Sequence, residues 1–222
     1  PPPPPPPPPP PILPPPPPTY TPTSRCSSAA SDVYKRQVEL DASDVMLQEG
    51  MGFAYVAKGM WGEASAQFDR ASSLIRHEAE QLMWCGYGMM MCGRHQDAVR
   101  TVRRSMDMDP LHPPSFEWVY GQTLFFDGRA EDALSILRGD ALLNSLAYAC
   151  QVASLVETGN IKAAETALED FKRTRLGEFE SRRIDIVGQG IEAFAGGYRA
   201  MLRASEDWER LANGLRAAGL GD

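Results

Sequence analysis

The sequence predicts an all-α protein built from repeated pairs of antiparallel helices, and three recurring features support this prediction. Glycine recurs in the middle of four aligned segments at intervals of 34, 35 and 31 residues, at Gly59, Gly93, Gly128 and Gly159. Alanine follows five residues after each glycine, at Ala64, Ala98, Ala133 and Ala164. A large apolar residue follows four positions later, at Phe68, Val102, Leu137 and Leu168. A fixed interval of this length is the signature of stacked supersecondary units.

Each recurring position has a steric reason. Glycine can adopt positive φ at the end of a first helix and so turn the chain into a second helix. Alanine is expected where the two helices cross, because a small side chain lets their backbones approach. The large residue one turn later is expected to fill the space between neighbouring repeats. Gly128, in "FFDGRAEDALSIL" (residues 125–137), is therefore interpreted as a joint between helices and not as part of a catalytic loop.

The four segments resemble the tetratricopeptide repeat (TPR), a helix–turn–helix unit of about 34 residues. This resemblance implies a right-handed α-solenoid of about four repeats, with boundaries near residues 45–78, 79–113, 114–144 and 145–176. Val152 departs from the pattern, because the other three copies have glycine at this position. The 31-residue interval also departs from it and predicts a shortened second helix around "LRGD".

The two ends of the chain differ from the repeat region, which we place at residues 38–176. Residues 177–222 lack the repeat and are expected to form a helical cap, with Ser205 as the N-cap and Gly219 as the C-terminal cap of a last amphipathic helix. Residues 1–37 are rich in proline and are expected to be disordered. Their final "SDVYKRQ" resembles a translated sequencing adapter, so we expect this segment to be non-native and the rest to come from a longer protein.

Charge and composition narrow the classes of partner. Residues 38–222 carry 28 acidic and 19 basic side chains, because the first 37 residues hold one acid and three bases. An acidic surface repels phosphate and argues against nucleic acid as the main partner. The sequence contains no apolar stretch near the roughly 18 residues that a membrane span needs. Four cysteines without a C-x-x-C pair (Cys26, Cys85, Cys92 and Cys150) are interpreted as free thiols, which suits a cytoplasmic location.

The sequence offers no catalytic or metal-binding motif. His77, His95 and His112 are scattered and show no ligand spacing with cysteine or acid. A phosphate-binding P-loop, a G-x-S-x-G elbow and a cysteine–histidine signature are all missing. We therefore predict no catalytic residues, no metal and no cofactor for this chain.

The TPR resemblance implies that the first helix of each repeat lines a concave groove for a peptide or helix. The residues predicted to line this groove are Phe53, Met83, Tyr87, Met90, Trp118, Gln122, Phe125 and Ala153. Aromatic and methionine side chains dominate this set, which favours a mainly apolar ligand. The alternative is that "MWCGYGMMMCG" (residues 83–93) is simply buried between repeats.

The leading functional hypothesis is a non-catalytic scaffold for protein–protein interaction. A second hypothesis comes from residues 109–138 and the closing "WERLANGLRAAGL", which are similar to the C-terminal repeats of bacterial class III adenylate/guanylate cyclases and of some winged-helix regulators. That resemblance implies a regulatory or assembly role, with a sister subunit or a domain of the parent chain as the partner. None of the upstream metal-binding or nucleotide-binding residues of those proteins has a counterpart here.

Overall fold

The computed structural model describes residues 44–138, 144–183, 188 and 190–221. Within these residues every regular element is an α-helix, which confirms the predicted fold class. The helices are α1 (Val45–Ala57), α2 (Trp61–Leu74), α3 (Ala79–Met91), α4 (His95–Met108), α5 (Pro114–Phe126), α6 (Ala130–Ile136), α7 (Ser145–Glu157), α8 (Ile161–Ser181), α9 (Ile191–Arg199) and α10 (Ser205–Ala217). The expectations for residues 1–37, including Cys26, lie outside the described part of the chain.

The first eight helices form four hairpins, which we number 1 to 4 along the chain. Within each hairpin the two helices pack on each other, as α1 does on α2 and α7 does on α8. Each hairpin also contacts the next, through α2 and α3, α4 and α5, and α6 and α7. The first helices α1, α3, α5 and α7 touch their neighbours in turn, so they form one continuous layer.

The four joints between paired helices share one backbone geometry. Their glycines have positive φ, with values of +69°, +75°, +84° and +79° at Gly59, Gly93, Gly128 and Gly159. The amide after each glycine donates to a carbonyl five residues earlier, for example from Met60 to Tyr55 at 2.9 Å and from Arg94 to Met89 at 3.0 Å. Side chains disfavour this left-handed backbone, so glycine closes each first helix at little steric cost.

The helix crossings depend on small residues. Ala64, Ala98, Ala133 and Ala164 are completely buried. Between hairpins 1 and 2, the Phe68 ring occupies space that only glycine leaves free. A Cβ atom added at Gly52 would lie 2.6 Å from Phe68 Cε1, and one added at Gly88 would lie 2.2 Å from Phe68 Cζ. The Phe68 ring therefore joins its own hairpin to the next one.

The later hairpins depart from this pattern where the sequence does. Helix α6 has 7 residues, whereas α2 and α4 each have 14, in keeping with the 31-residue interval. The second half of "LRGD" lies outside the described residues. Val152 takes the place of the glycine in hairpin 4 and is fully buried. Helix α8 is the longest described helix, with 21 residues.

The last two helices form a separate pair. Helix α10 begins at Ser205, with Ala204 in the N-cap position and no side-chain capping bond, so the prediction of Ser205 as N-cap is wrong. Ser205 already lies inside the helix, where its hydroxyl is 3.5 Å from the Glu206 carboxylate. Gly219 has φ of +106°, and the Leu220 amide donates to the Leu215 carbonyl at 3.0 Å, which closes the helix. The Ile191 amide donates to the Gly221 carbonyl at 2.7 Å and ties the two ends of the pair together.

Candidate partner-binding site

The predicted groove residues lie on the layer of first helices, and we call their common surface the first-helix face. Trp118 is half-buried. The other seven are buried: Phe53, Met83, Tyr87, Met90, Gln122, Phe125 and Ala153. Most of these side chains are therefore packed inside the protein and do not line an open groove.

Residues 191–221, which we call the C-terminal segment, contact this face at hairpins 2 to 4. The Arg203 amide donates to the Met91 carbonyl at the end of α3, at 3.0 Å. Further along, α10 lies so close to α7 that a Cβ atom added at Gly214 would be 2.5 Å from Ala153 Cβ. Trp208, Leu211 and Leu215 of α10 belong to the same buried cluster as the core of the hairpins. The segment thus runs across the face from hairpin 2 to hairpin 4, instead of covering hairpin 4 alone.

Arg210 is the side chain of the C-terminal segment that makes the most polar contacts with the face. Its guanidinium donates to both carboxylate oxygens of Glu157, at the end of α7. It also donates to the Phe125 carbonyl near the end of α5 and lies 4.3 Å from the centre of the Phe125 ring. A cation is favoured at helix C-termini, where carbonyl groups lack partners within the helix. One side chain therefore joins hairpins 3 and 4.

A second polar contact connects the segment with hairpin 2. His95 Nε2 lies 3.0 Å from Asp207 Oδ2, and the two side chains are 19% and 12% exposed. The imidazole also stacks on the Phe126 ring, with 6.1 Å between the ring centres. The pair carries opposite charges when the imidazole is protonated.

Helix α9 is held by a buried polar cluster on hairpin 4. Arg175 is 8% exposed and donates through Nε to the Phe194 carbonyl at 2.9 Å. Its Nη1 atom donates to Glu178 Oε2 at 2.8 Å, and the same carboxylate accepts from the amide and hydroxyl of Ser145. The Tyr198 hydroxyl bonds to the Ser145 hydroxyl. The charges are paired and hydrogen-bonded, which offsets the cost of burying them.

An aromatic ladder runs across the first three hairpins on this face. It consists of Phe53, Tyr87, Trp84 and Trp118, whose successive ring centres are 6.4, 5.7 and 6.4 Å apart. Phe53 and Tyr87 are buried, whereas the two tryptophans are half-buried. The indole nitrogen of Trp118 is buried and has no hydrogen-bond acceptor among the described residues. The two indoles are the part of the ladder that another molecule can contact.

Glu49 is an unusual acid at the hairpin 1 end of the face. Its residue is 5% exposed, and burial, with a smaller contribution from the Glu80 charge, raises its pKa to about 8. None of the ion pairs between described residues includes Glu49. A carboxyl group in this position gains from a cation brought close to it, because the cation offsets the cost of its charge.

The described residues show no group of three or more His, Cys, Asp or Glu placed to hold a metal ion. Cys85, Cys92 and Cys150 are buried free thiols, and burial raises the pKa of Cys85 and Cys150 well above the usual value for a thiol. Both thiols therefore stay neutral. None of the described helices has the length and apolar character needed to cross a membrane.

The fold and the face define a TPR-like stack of helical hairpins that holds a helix of its own chain. No protein-family model matches the sequence, and no curated protein matches it. The structure is similar to the crystal structure of YrrB, described as a TPR protein with an unusual peptide-binding site. The TM-score is 0.49 and the sequence identity 19%, over 71% of this chain and 84% of that chain. At this level the similarity says nothing about what this chain binds.

The polar contacts of the face were not predicted from the sequence. The sequence shows no ligand spacing at His95, and its periodicity identifies no partner for Asp207, Glu157 or Arg210. The only sign of these contacts in the sequence is the three-residue spacing of Asp207 and Arg210 on an amphipathic helix. That spacing does not name a partner, because it also fits a solvated pair on one helix.

Proposed function

We propose that the chain is a non-catalytic scaffold for protein–protein interaction and that its first-helix face holds an amphipathic helix or peptide of a protein partner. The observation that carries this proposal is that the face already holds an amphipathic helix, α10, with Trp208, Leu211 and Leu215 buried against it. A surface that fits one such helix has the shape and apolar character for another. The division into a repeat region at 38–176 and a cap at 177–222 is part of the proposal.

The half-buried indoles of Trp84 and Trp118 are the proposed first contact for the partner. Tryptophan offers a large apolar area at a low cost in side-chain entropy, which is why it is frequent at the centre of interfaces. A lysine or arginine of the partner can pair with Glu49. The proposed ligand is therefore a mainly apolar helix with a basic residue.

A binding titration tests the proposal. The probe is a fluorescent helical peptide made of leucine, alanine and a single lysine, titrated against the wild-type chain and Trp118→Ala. We expect at least a tenfold loss of affinity in the variant, because the indole supplies a central part of the contact. Trp61→Ala is the matched control, since Trp61 is also partly buried but lies on α2, in the layer of second helices. Equal affinity of the two variants would contradict the proposal.

The second candidate is a regulatory region of a class III nucleotide cyclase or of a winged-helix regulator. It is favoured by the resemblance of residues 109–138 and agrees with a face that accepts a segment of its own chain. The partner would then be a sister subunit or another domain of the same polypeptide. Sequencing the gene upstream of the codon for residue 38 tests this candidate, and the absence of a cyclase or winged-helix domain there would count against it.

A further inference from the structure

We propose that residues 203–217 are a built-in ligand of the first-helix face and that the partner is a helix that displaces them by making the same contacts. This inference rests on the proposed function, because it identifies the partner's chemistry and the regulation of the same site. The partner helix carries an acid, an arginine three residues later and a glycine or alanine seven residues after the acid.

The spacing of these positions follows from the contacts of α10. Asp207 meets His95 of hairpin 2, Arg210 meets Glu157 of hairpin 4, and Gly214 packs on Ala153. Residues at i, i+3 and i+7 lie along one side of a helix, so the three contacts form a single line. A side chain larger than glycine at the third position meets Ala153, unless the two helices move apart.

The apolar side of the partner is specified in the same way. Trp208, Leu211 and Leu215 are 3%, 0% and 0% exposed and follow the acid position by one, four and eight residues. This second line adjoins the first, so the partner needs both a polar edge and an apolar stripe. The apolar stripe supplies binding energy, whereas His95 and Glu157 select the partner and fix its register.

Helix α10 packs on the hairpins without forming part of any of them. The crossings at Ala64, Ala98, Ala133 and Ala164 are all made between helices of the hairpins themselves. Helix α9 has its own attachment, through Arg175 and Tyr198. Since α10 is tethered to the face, it competes at an effective concentration on the order of millimolar. A weak or mismatched helix is therefore excluded. The apparent affinity for a matched helix equals its intrinsic affinity multiplied by the fraction of molecules in which α10 has left the face.

The test uses the full-length chain and a labelled peptide with the sequence of residues 203–221 as the probe. We expect Arg210→Ala in the chain to raise its affinity for the peptide at least tenfold, because the tethered helix is loosened while Glu157 and the Phe125 carbonyl remain available. Glu209→Gln is the matched control, since Glu209 is an exposed residue on the same helix, and we expect wild-type affinity. Adding Glu157→Gln to Arg210→Ala should abolish the gain.

The results separate this inference from the proposed function. Equal peptide affinity of the wild type and Arg210→Ala would overturn the inference, whereas the proposed function fails if Trp118→Ala and Trp61→Ala bind the leucine–alanine–lysine peptide equally. A concentration-dependent dimer of Arg210→Ala in light scattering would also overturn it, because the face would then belong to a second copy of the chain. If Arg210→Ala loses helical content in circular dichroism, Asp207→Asn replaces it in the comparison with the same expected gain.

Discussion

The four hairpins and the C-terminal segment share one apolar core but differ in the polar contacts that hold them. The hairpins are held together by close packing, because fully buried alanines lie at the helix crossings and the Phe68 ring fits between Gly52 and Gly88. The C-terminal segment shares the apolar core, but its position is set by ion pairs and hydrogen bonds such as Arg210 with Glu157. Apolar packing contributes most of the stability, whereas polar contacts set register and selectivity. The difference agrees with the proposal of a permanent stack that carries an exchangeable helix.

The largest effect should come from breaking the packing between hairpins 1 and 2. We expect Phe68→Ala to lower the free energy of unfolding by about 3–5 kcal/mol, because it empties a fully buried site between two hairpins. Urea unfolding followed by circular dichroism measures this loss. Leu111→Ala is the control: Leu111 is 93% exposed, and its removal should change the free energy of unfolding by less than about 0.5 kcal/mol. Similar midpoints for the two variants would contradict the role given to Phe68.

A smaller and local effect should follow when α10 is pushed away from α7. We expect Gly214→Ala to destabilise the C-terminal segment by about 1–3 kcal/mol, because the new methyl group meets Ala153. Hydrogen exchange should show lost protection in α10, with the amides of α3 and α4 unchanged. Gly62→Ala is the matched control, because no atom lies within 4 Å of a Cβ atom at that helical position. An equal loss of hydrogen-exchange protection throughout the chain would show that the hairpins and the segment unfold as one unit.

The smallest effect concerns Glu49 and depends on pH. Its pKa is raised from 4.5 to about 8, so the unfolded chain ionises first and the folded state loses stability as pH rises between these values. We expect Glu49→Gln to remove this loss. From pH 5 to pH 9, the free energy of unfolding of the variant should rise relative to that of the wild type by at least about 1.4 kcal/mol, the equivalent of one pKa unit. Thermal melts at both pH values measure the gain. The same gain from Glu165→Gln, an exposed acid on α8, would rule out burial as the cause.

The architecture could be predicted because its determinants recur. Gly128 and Ala133 are recognisable as joint and crossing residues only because their equivalents stand at the same positions in three other segments. The 7-residue length of α6 follows from the shortened interval in the same way. In each case the geometry is local, and repetition makes it visible in the sequence.

The position of the C-terminal segment could not be predicted, because it depends on contacts that occur once. Arg210 binds Glu157, which lies 53 positions away in the sequence, and the carbonyl of Phe125, which lies 85 positions away. No period connects such residues, and the carbonyl is a backbone group that any residue supplies. The Ser205 N-cap prediction missed by one residue, because a sequence pattern defines the existence of a helix better than the residue at which it begins.

The bridge made by Arg210 has a mechanical consequence. One guanidinium contacts the ends of both α5 and α7 and so connects two adjacent units of the stack. In a solenoid a small rotation at one junction is transmitted along the whole array, so curvature depends on every junction. We expect the loss of this contact to change the angle between hairpins 3 and 4 and, through it, the position of hairpin 1.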